Sequence, residues 1–248
     1  MRDRPALPLV VLRGARRSFG DVVALDGIDL TIDEGDFLAL IGPSGCGKST
    51  LLRIIAGLDT GEGEITVDRS SIAYVFQDAH LLPWRTVAEN VGLPLDLRGR
   101  SPRTERDAAV ANALREVELL DAADRYPSQL SGGMRMRASI ARALVTEPRL
   151  LLMDEPFAAL DELTRNRLDE RLRAVWGARK LTVVFVTHAI FEATFLATRA
   201  VVMSRRPGRI VADTTIELPA ERDKATRGSP EFARVAGEIF HALEKGSE

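Results

Sequence analysis

Short apolar runs closed by turn residues set the rhythm of this chain. FLALI at 37–41, LLLM at 150–153 and TVVFV at 182–186 carry almost no polar side chains. Runs of that length predict strands buried on both faces, as in a parallel sheet. Segments 10–17 and 22–32 are rich in β-branched residues and end at Asp33-Glu34-Gly35, so they predict two further strands. Strands are also expected at 61–67 and 72–76. After the glycines that follow FLALI, Leu51, Leu52, Ile54 and Ile55 fall at helical spacing, with Gly57 as the stop. The middle of the chain, 79–145, turns helical, with a periodic Ala-, Glu- and Arg-rich stretch at 104–117. Helices are expected at 161–177, 190–197 and 229–243. Segments 200–204 and 209–212 flank Pro207-Gly208 and predict a hairpin. Strands alternating with helices make an α/β core with a mainly parallel sheet.

Composition narrows the class. The chain has 248 residues, enough for one domain with lobes. Its formal net charge is -2, which leaves no electrostatic footprint for nucleic acid. Cys46 stands alone, so no intrachain disulfide can form, and the N-terminal stretch lacks a small-residue cleavage site. The cytosol is the natural compartment. The most apolar stretch, 181–203, holds His188, Glu192 and Arg199, charges that a membrane span tolerates poorly. Any membrane role therefore needs a partner.

The first chemistry lies between a predicted buried strand and a predicted helix. Gly42-Pro43-Ser44-Gly45-Cys46-Gly47-Lys48-Ser49 fits the phosphate-loop pattern GxxxxGK[ST], with Thr50 beside it. Glycines let the backbone turn tightly, so N–H groups converge on phosphate oxygens at a helix N-terminus. Lys48 supplies a cation for the β- and γ-phosphates, and Ser49 a hydroxyl for magnesium. By chance alone such a pattern arises in a chain this long on the order of 1% of the time. Cys46 inside the loop is read as a small residue whose backbone matters, rather than as a redox switch.

A second acidic pair, Asp154 and Glu155, directly follows the LLLM strand. A carboxylate there can reach the magnesium held by Ser49, and its neighbour can orient or deprotonate the attacking water. Further along, Ser131-Gly132-Gly133 in LSGGM opens another helix, a second phosphate-binding terminus.

Taken in order, these motifs resemble the ATP-binding cassette (ABC) ATPases along nearly the full length. The resemblance implies a P-loop NTPase core with a mainly parallel sheet, an antiparallel β lobe and a helical signature lobe. The β lobe and nucleotide core would take about 9–78 and 146–212, the helical lobe about 79–145, and a C-terminal hairpin and helix about 200–248. It implies two copies facing head to tail, so that Ser131, Gly132 and Gly133 of one cover the γ-phosphate held by the other. Phe19 matches the aromatic residue that stacks on adenine. Gln77 in YVFQD matches the glutamine that meets magnesium and the lytic water. Ala158-Ala159-Leu160-Asp161 resembles the aspartate loop that couples the two sites. His188 in VFVTH matches the switch histidine of the γ-phosphate. Glu155, His188, Gln77 and Lys48 are thus the expected catalytic set, and Ser49, Gln77 and Asp154 the expected magnesium set.

There are departures. Met134 stands where the signature usually has glutamine, and Ala189 where an aspartate usually follows the switch histidine. Neither removes a group assigned to chemistry. Met136 either packs within the helical lobe or marks a partner surface. The segments 77–95, 154–165 and 204–210 resemble the importer subunits for nitrate, sulfonates and taurine. That branch implies ATP and magnesium as ligands, an integral membrane permease, indirectly an extracytoplasmic solute-binding protein, and a place on the cytoplasmic face of the cell membrane. Leu81, Leu82 and Trp84 would either meet the permease or fold into the helical lobe. A soluble cassette with no transport role, and an exporter, remain alternatives at this stage.

Overall fold

The computed structural model describes residues 8–99, 102–158 and 160–247. Two sheets lie at its centre. Strands β1 (Pro8–Phe19), β2 (Val22–Asp33) and β4 (Glu62–Val67) form an antiparallel sheet in the order β2-β1-β4. The other sheet runs β5 (Ile72–Val75), β6 (Leu150–Asp154), β7 (Thr182–Thr187), β3 (Phe37–Ile41), β8 (Arg199–Met203), β9 (Ile210–Thr215). Its pairings are parallel except β8 with β9, which is the expected hairpin.

The apolar runs behave as their pattern predicts. Every residue of β3, β6 and β7 is buried. Alternate side chains serve opposite faces, as the two-residue period of a strand requires. Phe37, Ala39, Ile41, Leu151, Met153, Val183 and Phe185 join the core under the helices. Leu38, Leu40, Leu150, Leu152, Val184 and Val186 face the antiparallel sheet and helix α1 (Lys48–Ala56). Each such fully buried aliphatic or aromatic side chain contributes roughly 1.5–3 kcal/mol.

The helical face is built from α2 (Val87–Arg98), α3 (Arg103–Glu116), α4 (Gly132–Leu144), α5 (Glu162–Arg179) and α6 (Ile190–Leu196), with α7 (Lys224–Arg227) and α8 (Pro230–Ser247) closing the chain. Helix α2 was not separately foreseen, because Gly92 and Pro94 lie inside it. Its start is nevertheless marked by a reciprocal capping box between Thr86 and Glu89. The short α7 was also unforeseen. Met136 is buried in the helical core, which decides between its two readings. Leu81 packs against the same core, whereas Trp84 is 70% exposed.

Candidate functional site

The loop 42–49 leaves the buried end of β3 and enters α1 at Gly47. Gly47 has φ +105°, and a Cβ there would sit 2.7 Å from Leu25 Cδ2 and 2.9 Å from the Ala24 carbonyl of β2. Only glycine meets both demands. No side chain caps α1, so its first N–H groups remain for an anion. The buried Lys48 folds back over the loop, its Nζ donating to Gly42 O at 2.7 Å and Pro43 O at 3.0 Å. Cys46 is 1% exposed and belongs to the core beneath the antiparallel sheet, in keeping with a packing role.

Across the loop, the end of β6 presents its carboxylates. Ser49 Oγ donates to Asp154 Oδ1 at 2.9 Å, joining positions 105 residues apart. Tyr74 Oη donates to the other oxygen, Oδ2, at 3.3 Å. Burial first, and the Asp154 carboxylate second, push the Tyr74 phenol well above its ordinary range, so it stays a donor. Glu155 follows with φ +46°, a left-handed conformation that a non-glycine residue seldom adopts. Its N–H donates to Val186 O at 3.0 Å, fixing it against β7. The carboxylate Oε2 meets His188 Nδ1 at 3.2 Å, beyond the end of that strand.

An open groove runs along these groups, lined by Ser44, Gly45, Gly47, Lys48, Ser49, Thr50, Gln77, Glu155 and Arg206. The expected phosphate loop and the residues after β5 and β6 therefore converge, with His188 attached through Glu155. Arg206 and Tyr74 are additions that sequence reasoning did not find. Arg206 donates from Nη2 to Gly45 O at 2.9 Å, setting a second cation beside the loop.

Other expected residues lie apart. Phe19 is at the tip of the β1–β2 hairpin, 49% exposed, with the Arg17 guanidinium 4.6 Å from its ring centroid. It shares that hairpin with the part of β2 that packs on Gly47. Ser131 caps α4, its Oγ accepting from Met134 N at 3.3 Å, and Gly132 and Gly133 form the first turn. None of these three lines the groove of their own chain. Gly133 instead lies over Leu160, whose Cδ2 would be 2.9 Å from an added Cβ. Asp161 caps α5 and accepts from Thr164 N at 3.0 Å, a bond that holds its carboxyl below the usual range. Ala159 of the same segment lies outside the described residues.

A strand, a glycine loop closing on a helix, and acidic residues at the end of the neighbouring strand make a nucleotide site. The ABC transporter family model matches residues 25–158. The chain belongs to the ABC transporter family. It is one of that family's ATP-binding, ATP-hydrolysing subunits. An aliphatic sulfonates import ATP-binding protein of Mycobacterium sp. (strain MCS) is 48% identical over 92% of this chain and 91% of its own length. Another of that description, from Rhizobium johnstonii, is 47% identical over 97% of this chain and 93% of its own. Among solved structures, a dimeric post-hydrolysis state of an ATP-binding cassette bound to ADP and Pi is 34% identical, with a TM-score of 0.76, covering 85% of this chain and all of that one. The ABC ATPase fold expected for the chain is the one it has. Among the described residues, no helix of this ABC subunit is long and apolar enough to cross a membrane.

Proposed function

We propose that this ABC subunit powers uptake of a small solute of the sulfonate, nitrate or taurine kind through a partner permease. Two copies would bind ATP head to tail at the cytoplasmic face of the cell membrane. The observation that carries the pairing is the separation within one chain: the groove has its phosphate loop and Glu155, while Ser131, Gly132 and Gly133 lie outside it. A second copy can supply that helix terminus across the γ-phosphate. The dimeric cassette bound to ADP and Pi supports the pairing, and the relatives named for sulfonate import support the solute class. An extracytoplasmic binding protein would deliver the solute.

Within each site, the loop amides and Lys48 bind the phosphates, and Phe19 stacks on the base. Ser49 and Asp154, 2.9 Å apart, offer the hard oxygen donors that magnesium takes, so this pair together with Gln77 fits the ion. When bound, magnesium would neutralise charge on the β- and γ-phosphates. Glu155 accepts the proton of the attacking water, and Gln77 orients that water. His188, held by Glu155, contacts the γ-phosphate. Asp161 faces the partner. ATP drives the cycle to the extent that it binds the closed pair more tightly than the open one.

Affinity purification from detergent extracts of the native host, with mass spectrometry, tests the importer reading. A multispanning membrane protein should copurify, with a solute-binding protein encoded beside it. Recovery of soluble partners alone, or of nucleic acid, would overturn the transport role and leave the ATPase standing.

A further inference from the structure

Leu160 and His188 are joined inside one chain by a line of polar contacts that no motif announces. It begins at Leu160, whose carbonyl accepts from Arg165 Nη2 at 2.9 Å. Arg165 stands in the first turns of α5, and its Nε is buried without a hydrogen-bond partner, 3.9 Å from Glu192 Oε1. Glu192, 5% exposed in the first turn of α6, accepts through Oε2 from Thr187 Oγ1. Thr187 Oγ1 in turn accepts from Ala189 N at 3.0 Å, so one hydroxyl braces the backbone on both sides of His188. Helix α6 has no side-chain cap of its own. Thr187 instead takes the N–H of Ala189, the residue before the helix, and Glu192 holds that hydroxyl.

Two further observations give this line a direction. A cavity of about 10 Å³, room for one water, lies among Glu155, Arg165, Thr187, His188 and Glu192. The line therefore passes directly behind the groups assigned to hydrolysis. The far end of α6, by contrast, is clamped. Arg222 Nη1 donates to the carbonyls of Thr194 at 2.9 Å, Phe195 at 2.9 Å and Ala197 at 2.8 Å, and Arg173 Nη1 holds Leu196 O at 2.5 Å. Any adjustment of α6 falls at its N-terminal end, where His188 enters. The Arg165–Glu192 pair, oppositely charged and short of hydrogen-bond contact, is the one adjustable joint in the line.

We infer that Arg165 and Glu192 are positioning residues that transmit the placement of Leu160 to His188 within the same subunit. When a partner subunit presses on Asp161, Leu160 shifts Arg165. Arg165 then tightens on Glu192, and Thr187 sets the backbone that carries the histidine. The inference rests on the proposed roles of Glu155 and His188 in hydrolysis. It adds a device by which a site turns over only once the partner is seated.

Steady-state ATPase kinetics and ATP binding on the full chain test it, using Arg165→Met, Arg165→Lys, Glu192→Gln, the double variant Arg165→Met/Glu192→Gln, and His188→Ala as control. Arg165→Met and Glu192→Gln should each lower kcat by at least about tenfold, with KM for ATP and binding of a non-hydrolysable analogue within about twofold. The double variant should be no slower than the worse single one, because both break the same joint. Arg165→Lys, which keeps the charge, should recover part of the rate. Arg165 is partly exposed, so Arg165→Met remains a valid test even where Glu192→Gln fails to fold. A folded Arg165→Met with wild-type kcat overturns the inference, as do losses that multiply in the double variant. His188→Ala turning over normally would instead overturn the underlying reading of the site.

Discussion

A buried ammonium must find acceptors, and Lys48 finds them in the carbonyls of Gly42 and Pro43. These bonds tie its side chain back across the loop. Replacing it by alanine (Lys48→Ala) should raise the Kd for ATP roughly 100-fold, the worth of two charge-assisted hydrogen bonds, and stop turnover. Calorimetric titration with ATP checks this, and unchanged affinity would contradict it. Phe19 is half exposed and owes little to the core. Phe19→Ala should therefore cost roughly tenfold in ATP affinity, the scale of an aromatic stacking contact, while the thermal midpoint stays put. Loss of folding instead would make Phe19 a core residue. At this scale the site was legible where its residues are neighbours in sequence. The loop 42–49 and the Asp154-Glu155 pair could be read from local pattern, whereas His188 was marked only by its place in the family resemblance. Tyr74, Arg206, Arg165 and Glu192 could be read from neither. Their partners are set by which strands and helices the fold lays side by side, and each alone looks like an ordinary surface or strand residue.

Among elements, the buried strands declared themselves by unbroken apolar runs, whereas α2 did not. Gly92 and Pro94 depress its helical propensity, and what holds it is context. Asn90, fully buried, accepts from Leu82 N at 2.7 Å and donates to the carbonyls of Leu82, Arg85 and Thr86. This single side chain thus ties the helix to the loop that carries the exposed Trp84. Asn90→Ala should destabilise the fold by about 2–3 kcal/mol, since it leaves several buried groups without partners. Urea unfolding measures the loss, and a change below about 0.5 kcal/mol would refute the tie. The joint between α5 and α7 carries a pH signature. Asp169 meets Arg227 at 2.6 Å, yet burial, with Glu192 nearby, pushes its carboxyl up to about 7. Between the ordinary 3.8 and about 7 the folded chain keeps a proton that the unfolded chain has lost. Stability contributed by this group is therefore present at low pH and is lost as pH rises through that window. Asp169→Asn should flatten this part of the profile of urea midpoint against pH. Parallel profiles for the two proteins would contradict the shift.

For the whole molecule, the six-stranded sheet carries two different surfaces. One end of it gathers the phosphate loop, Glu155 and Gln77 around a groove, with Asp154 bonded to Ser49 beside it. The helical face sets Ser131-Gly132-Gly133 outside that groove, with Gly133 over Leu160. The resemblance to ABC ATPases made this division legible before the structure, because the motifs occur in the family's order. The distances between them follow only from the sheet order, which brings β6 beside β7 and β7 beside β3. The central claim is that two copies complete each other's sites around ATP. Light scattering of purified Glu155→Gln, with and without ATP, tests it most directly, with ATPase activity measured on the same sample. The account predicts a monomer without nucleotide, a stable dimer with ATP, and hydrolysis abolished. A monomer at saturating ATP, or normal steady-state turnover, would contradict it.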